Sequence, residues 1–495
     1  MFVTLNGNGS LQQQVYEGLR RAILESRLGP RARLPSTRSL ARELGVSRNT
    51  VLAAYDQLLA EGYVVGRVGS GTYVAAELPD AMLAARRAEP SARESGAPQP
   101  RLSTYGERVR RVDPLDVPGT SRTHPAPARL HYDFRYGTPS VEEFPHETWR
   151  RLLARRARRA SVHSLGYGRP EGEPVLREAI ADYLRRARAV DCRAEQVIVV
   201  QGSQQALDLV ARLLVDPGDV VVVEDPAYQG ARKIFLAAGG RLVAAPVDGE
   251  GADLSHLPPE ADAARLVYVT PSHQFPTGAT MSLCRRLELL GFAERTSAYV
   301  VEDDYDSEFR YEGRPVESVQ GLDRRGRVVY VGTFSKVLFP ALRVGYLVLP
   351  EPLVPIVSAA KWLADRHTAT LEQEVLADFI AGGHFERHLR RARAHNAARR
   401  AALLEALAEH LGDRAVVSGA NAGVHLLVWL PGVPAGAAPD LVAAAARAGV
   451  GVYPVAPYYL NPPNTAGLLL GYASLTESEI RQGIRRLAQV IAARG

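Results

Sequence analysis

The chain has 495 residues, a formal net charge of +6, 46% hydrophobic residues and 23% charged residues. It is too long for a single core and too apolar for wholesale disorder. Two cysteines, Cys192 and Cys284, exclude a disulfide framework and cannot alone build a zinc site, so no metal centre is expected. No apolar run approaches the roughly 18 residues of a membrane span, and the first ten residues lack the basic and apolar regions of a signal peptide. A reducing cytoplasm is the expected compartment.

Residues 1–75 carry nine arginines and five acids, a surplus that fits a polyanionic partner. Leu11–Glu25 places Leu11, Val15, Leu19 and Ile23 on one helical face, with Ser10 as N-cap. Ser36 is positioned to cap a second helix that stops at Gly45. Ser47 is positioned to cap a third, running through Val51, Ala54, Tyr55 and Leu58. Two short helices joined by a glycine turn predict a helix-turn-helix. Its second helix opens on Ser47-Arg48-Asn49-Thr50, the end a recognition helix presents to base edges. Tyr63–Val74 then reads as a hairpin with Gly69-Ser70-Gly71 at its tip.

Residues 76–128 are rich in proline and poor in large apolar residues, which predicts a linker, with one short helix possible at Ala81–Ala88. From 129 onward, Val-rich runs alternate with amphipathic stretches. Gln196–Gln201, Asp219–Glu224, Arg265–Thr270, Ala298–Glu302 and Val328–Gly332 read as buried strands of a mostly parallel sheet covered on both faces. A smaller α+β unit follows, beginning at about 380–415.

Only three lysines occur: Lys233, Lys336 and Lys361. Lys233 and Lys361 read as solvated helix positions. Lys336 follows a buried strand in Gly332-Thr-Phe-Ser-Lys336, with Arg343 close behind. A desolvated lysine near other cations has a depressed pKa and can form a Schiff base with an aldehyde. Thr333, Ser335 and Arg343 can hold an anion. If the aldehyde is pyridoxal phosphate, its ring nitrogen needs a carboxylate. Asp303 is the choice, with Tyr305 on the same side of an extended segment, reaching the ring's phenolic oxygen. Glu302 and Asp304 then face away, as an acidic surface edge. Gly202-Ser203-Gln204 offers a helix start for the phosphate, and Tyr228 offers an aromatic ring at a strand end.

Two resemblances follow from these motifs. LPSTRSLARELGVSRNTVLAAYDQLLAEGY resembles the winged helix-turn-helix of GntR-type bacterial regulators. That resemblance implies DNA contacts by Arg38, Ser47, Arg48, Asn49 and Thr50, with Gly71 at the wing tip. The ordered series QGSQQALDL, EDPAY, SHQFPTG, VEDDYDSEF, GTFSK and LRVGY is similar to fold type I aminotransferases. The whole chain therefore resembles the MocR/GabR/PdxR regulators. The architecture implied is α/β: a winged helix-turn-helix over 1–75, a linker over 76–128, and a pyridoxal-phosphate-dependent transferase fold over 129–495. The last has a mostly parallel seven-stranded sheet and a small C-terminal α+β subdomain. The site implied has Lys336 in a Schiff base with pyridoxal phosphate, Asp303 on the ring nitrogen, Tyr305 on the phenolic oxygen and Tyr228 stacked on the ring. Ser203, Gln204, Thr333 and Arg343 would surround the phosphate, joined by Tyr167 from the neighbouring subunit of a homodimer.

The sequence departs from an aminotransferase at two places. Phe275 stands where those enzymes have asparagine, with His273 or Gln274 as substitutes for the lost polar contact. In Thr465–Ala473, Leu468 aligns with the arginine that pairs the substrate carboxylate, leaving Arg232 as the possible compensation. A carboxylate left unpaired in a dry pocket costs several kcal/mol. The expectation is a pyridoxal-phosphate-responsive regulator, activator or repressor, bound to double-stranded operator DNA and acting on vitamin B6 genes, with little or no transamination. The alternatives are an amino-compound effector that reacts at the cofactor, or an aminotransferase in its own right.

Overall fold

Three serines start the helices of the N-terminal unit. Ser10, Ser36 and Ser47 are extended, and each side chain accepts the backbone N–H three residues on. The helices are α1 (Leu11–Leu24), α2 (Thr37–Leu44) and α3 (Arg48–Ala60). Between α2 and α3 lies Gly45, at φ +67°, a left-handed conformation that glycine adopts without strain. Strands β1 (Val64–Arg67) and β2 (Gly71–Val74) pair antiparallel with Arg67 opposite Gly71. Val15, Leu19, Val51, Leu58 and Val74 share one core. The computed structural model describes residues 3, 5, 9–67, 70–78, 101–112, 130–312 and 317–494. It divides at Met1–Arg101 and Leu102–Gly495. Gly69 of the hairpin tip lies outside the described residues.

The second unit begins inside the segment expected to be linker. Residues 79–100 and 113–129, with the Ala81–Ala88 helix, lie outside the described residues. Thr104–Val112, however, is a helix, α4. The large sheet comprises β3 (Val197–Val200), β4 (Val220–Asp225), β5 (Arg241–Asp248), β6 (Ala264–Val269), β7 (Tyr299–Asp304), β8 (Val328–Thr333) and β9 (Gly345–Val348). Their order is β3-β9-β8-β7-β6-β4-β5, with a two-residue strand, Gly251–Ala252, beyond β5. Neighbours in the run β8-β7-β6-β4-β5 are parallel, and β9 runs antiparallel to β8 and β3. Strands β5 and β9 were not read from the sequence.

Alternate valines of β4 face opposite ways. Val221 and Val223 pack with Ala206 and Leu207 of α5 (Ser203–Leu214), whereas Val220 and Val222 pack with Leu289 and Phe292. Both faces are thus buried, as a parallel sheet requires. Helices α6 (Gln229–Ala238) and α7 (Val354–Asp365) lie with α5: Ala231 and Phe235 of α6 and Val357 of α7 share its core. Helix α4 lies against α6. Arg108 donates to the carbonyls of Ala237 and Ala238, at 2.8 and 3.1 Å, where α6 leaves them unpaired.

A second sheet of four antiparallel strands is ordered Val416–Ser418, His425–Pro434, Thr465–Gly471 (β10) and Tyr453–Pro454. Its core includes Phe134, and Tyr132–Asp133 pairs with Val450–Gly451. The small lobe therefore draws on both ends of the unit. Among the described residues, no helix is long and apolar enough to cross a membrane.

Candidate functional site

The carboxyl ends of β7 and β8, the start of α5 and the residue before α6 converge on a cavity of about 260 Å³. Open α/β sheets offer their ligand sites at this edge. Ser203, Gln204, Tyr228, Asp303, Tyr305, Thr333, Lys336 and Arg343 all line it. Tyr167 does not.

Asp303 is buried at the end of β7. Its Oδ2 accepts from the Tyr268 hydroxyl at 2.8 Å, and its Oδ1 has no partner. Burial pushes this carboxyl up to about 7, against the Tyr268 hydrogen bond that pulls it down. Lys336 Nζ donates to the Gly137 carbonyl at 2.8 Å. Burial lowers its pKa, while Asp306 and Asp303 oppose that shift and Arg343 adds to it. A larger neutral fraction makes the amine a better nucleophile.

At the other end of the cavity, Arg343 donates to the Gln201 carbonyl at 2.7 Å. It lies over Gly202, whose φ is +86° and where a Cβ would fall 2.9 Å from Arg343 Nη2. The positive φ favours glycine there, and a Cβ would push the guanidinium away from the first turn of α5. Thr333 Oγ1 accepts the Ser335 N–H at 3.2 Å, and Tyr228 donates to Gln204 Oε1 at 3.3 Å. The Ser335 hydroxyl is buried without a partner.

The groups that line the cavity match what a pyridoxal phosphate presents. There is an amine for its aldehyde, an unpartnered carboxylate oxygen for a ring N–H, an aromatic ring for its face, and a helix start with an arginine for its phosphate. Tyr268 belongs to this set and was not singled out from the sequence, whereas Ser335 was already read there as able to hold an anion. The signal for Tyr268 is three-dimensional: it comes from β6, next to β7 in the sheet.

Several sequence expectations need correction. Glu302 and Asp304 do not form an acidic surface edge. Glu302 is fully buried, accepts two backbone N–H groups and lies 3.8 Å from Arg286. Asp304 is buried, paired with Arg188 at 2.8 Å. Helices cover that face as well, so its charges need partners. Lys361 is not solvated either: it is fully buried and donates to Asp365 at 2.6 Å. Lys233 is half-buried, beside α4.

Neither proposed substitute for asparagine reaches the cavity. The Gln274 amide is spent on Glu224 and on the carbonyls of Pro226 and Phe275. His273 meets Asp306 and Tyr305. In β10, Leu468 belongs to the small-lobe core, whereas Leu469 packs with Phe275 and Tyr458 beside the cavity. The alternation of a strand makes Leu469, not Leu468, the residue on the site side. Arg232 donates to the Tyr458 carbonyl at 2.8 Å and does not line the cavity.

Tyr167 is 78% exposed, with the Arg366 guanidinium 4.3 Å from its ring centroid. Val162, Leu165 and Leu363 are also largely exposed.

In the N-terminal unit, Arg38, Ser47, Arg48 and Asn49 are exposed and Thr50 is half-buried. Ser47 and Thr50 share a hydroxyl contact of 2.8 Å in addition to the cap. Gly71 is exposed at φ +120°. Arg33, which the sequence reading passed over, brings its Nε to 3.1 Å from where a Gly71 Cβ would stand.

Comparison with known proteins gives two family matches. Residues 137–487 match the class I and II aminotransferases, and residues 11–74 match the gntR family of bacterial regulatory proteins. The "Probable rhizopine catabolism regulatory protein MocR" of Rhizobium meliloti is 42% identical, covering 98% of this chain and 94% of its own. The "HTH-type pyridoxine biosynthesis transcriptional regulator PdxR" of Corynebacterium glutamicum is 30% identical, covering 98% and 96%. Among solved structures, a kynurenine aminotransferase of Pyrococcus horikoshii in complex with PMP superposes with a TM-score of 0.69. It is 30% identical and covers 80% of this chain and 96% of that one. LysN, an alpha-aminoadipate aminotransferase of Thermus thermophilus complexed with N-(5'-phosphopyridoxyl)-L-leucine, gives 0.67 at 32% identity, covering 73% and 92%.

Proposed function

This chain belongs to the family of GntR-type transcriptional regulators that carry an aminotransferase-like domain, and from that premise we propose that it is a DNA-binding regulator whose effector is pyridoxal phosphate. The observation that carries this reading is Asp303 Oδ1, a buried carboxylate oxygen with no partner, in the same cavity as the amine of Lys336. When bound, the cofactor supplies an aldehyde for an amine and a ring that withdraws electrons. The chain's residues do the rest. Lys336 holds the aldehyde carbon, Asp303 accepts the ring N–H, Tyr305 donates to the phenolic oxygen and Tyr228 covers the ring. Ser203, Gln204, Thr333 and Arg343 hold the phosphate.

The second unit forms a homodimer in this reading. Tyr167 does not line its own chain's cavity and is mostly exposed among apolar neighbours, a surface that points to association. It would complete the phosphate site of the neighbouring subunit. Arg38, Ser47, Arg48, Asn49 and Thr50 would meet operator DNA, with Gly71 at the wing. Cofactor binding would shift the populations of arrangements open to the two DNA-binding units. Leu469 offers no charge for a substrate carboxylate, which favours a sensor over an enzyme. PdxR's name supports vitamin B6 genes as targets. MocR, more similar to this chain, is named for rhizopine catabolism rather than for vitamin B6, which supports a second reading in which the effector is a compound other than the cofactor, an amino compound that reacts at it.

Absorbance spectroscopy tests the first step. Pyridoxal phosphate added to the purified chain should give a yellow band that Lys336→Ala lacks; a colourless wild type contradicts the reading. Bleaching of that band by one amino compound, without oxo-acid turnover, would move the effector to the second reading.

A further inference from the structure

We propose that His273, held by Asp306, fixes the hydrogen-bonding direction of Tyr305 and so secures the ring-oxygen contact that Phe275 cannot make. This rests on the cofactor reading of the cavity. His273 Nδ1 lies 3.1 and 3.0 Å from the two Asp306 oxygens and 3.0 Å from the Tyr305 hydroxyl. His273 and Asp306 are each 1% exposed. A carboxylate only accepts, so the nitrogen facing it carries the hydrogen. His273 Nε2 has no partner, and a bare lone pair there costs less than an unmet N–H. The tautomer therefore follows from the partners.

With hydrogen on Nδ1, Tyr305 is the acceptor in its contact with His273. Its own O–H must point elsewhere, and Tyr305 lines the cavity that holds Lys336. Burial, reinforced by Asp306 and Asp303, raises the phenol's pKa well above its ordinary value, so the proton stays on. A phenol that accepts one hydrogen bond is a stronger donor in the next. The backbone is shaped around the pair: at Gly423 a Cβ would fall 1.9 Å from His273 Cε1 and 2.7 Å from Asp306 Oδ2. His273 is thus a positioning residue acting through Tyr305.

The consequence is readable at the Lys336 nitrogen. A donor on the neighbouring ring oxygen stabilises negative charge there and lowers the pH at which that nitrogen gives up its proton. Asp303, Asp306 and Arg343 also act on Lys336, and His425, kept neutral by burial, stands nearby. These groups stay constant across the variants compared.

The test is a pH titration of the yellow absorbance of the full-length, cofactor-loaded chain. His273→Phe should raise the midpoint by about half a pH unit, less than Tyr305→Phe does. His273→Asn, whose amide N–H can replace Nδ1–H, should stay near wild type. In a Tyr305→Phe background, His273→Phe should add nothing. A wild-type midpoint in His273→Phe overturns the proposal, as does an equal shift in both backgrounds. Should the Phe variant not fold, His273→Leu against His273→Asn decides: different midpoints support the proposal and equal ones overturn it. A wild-type chain that never turns yellow overturns the cofactor reading itself.

Discussion

The winged unit and the cavity place their polar groups in opposite surroundings. Arg38, Arg48 and Asn49 are exposed, so replacing one strands no desolvated partner. Asp303, Asp306 and His273 are buried, and each is met by a specific neighbour. Binding through Arg38, Arg48 and Asn49 of the first region should be lost piecemeal and without structural cost. Binding by the second should be lost together with spectra, pH dependence and, away from the cavity itself, stability.

The sharpest way to separate the regions is Lys336→Ala. It should abolish the yellow band and the cofactor-induced gain in thermal stability, which is about 2.7 kcal/mol at a hundredfold excess over Kd. DNA binding without cofactor should persist. Lys361→Ala tests whether every buried lysine of this unit matters for the same reason. It should cost about 3 kcal/mol in unfolding, by leaving Asp365 without its cation, yet still allow colour to develop. Arg48→Ala should weaken operator binding by about 1–3 kcal/mol and leave the absorbance unchanged; equal damage to both would break the comparison. Ser47→Ala should act through stability even in the exposed unit. It removes the N-cap of α3 at a cost of about 1 kcal/mol, seen as a lower melting temperature.

How far each region was legible follows from the same contrast. The helices of the winged unit could be placed within a residue because capping is local: Ser36 and Ser47 act on backbone three residues away. Lys336, Asp303 and Tyr228 could be placed together at one cavity because strand ends and short motifs are local too. What the sequence hid was non-local. Tyr268 reaches Asp303 from a neighbouring strand, and Lys361 is buried because α7 packs beside α5. Glu302 and Asp304 looked like surface because their partners, Arg286 and Arg188, come from helices outside the strand. Leu469 displaced Leu468 because a one-residue shift turns a side chain to the other face of a strand. Helix α4 was missed because composition alone marked its surroundings as linker, and Arg108's partners on α6 are far off in sequence.

The most direct test of the account is binding to the DNA upstream of the protein's own gene, measured with and without pyridoxal phosphate for wild type and Lys336→Ala. The cofactor should change the affinity of the wild type and leave that of the variant unmoved. A wild type indifferent to the cofactor, or a variant that responds as strongly as the wild type, would contradict it.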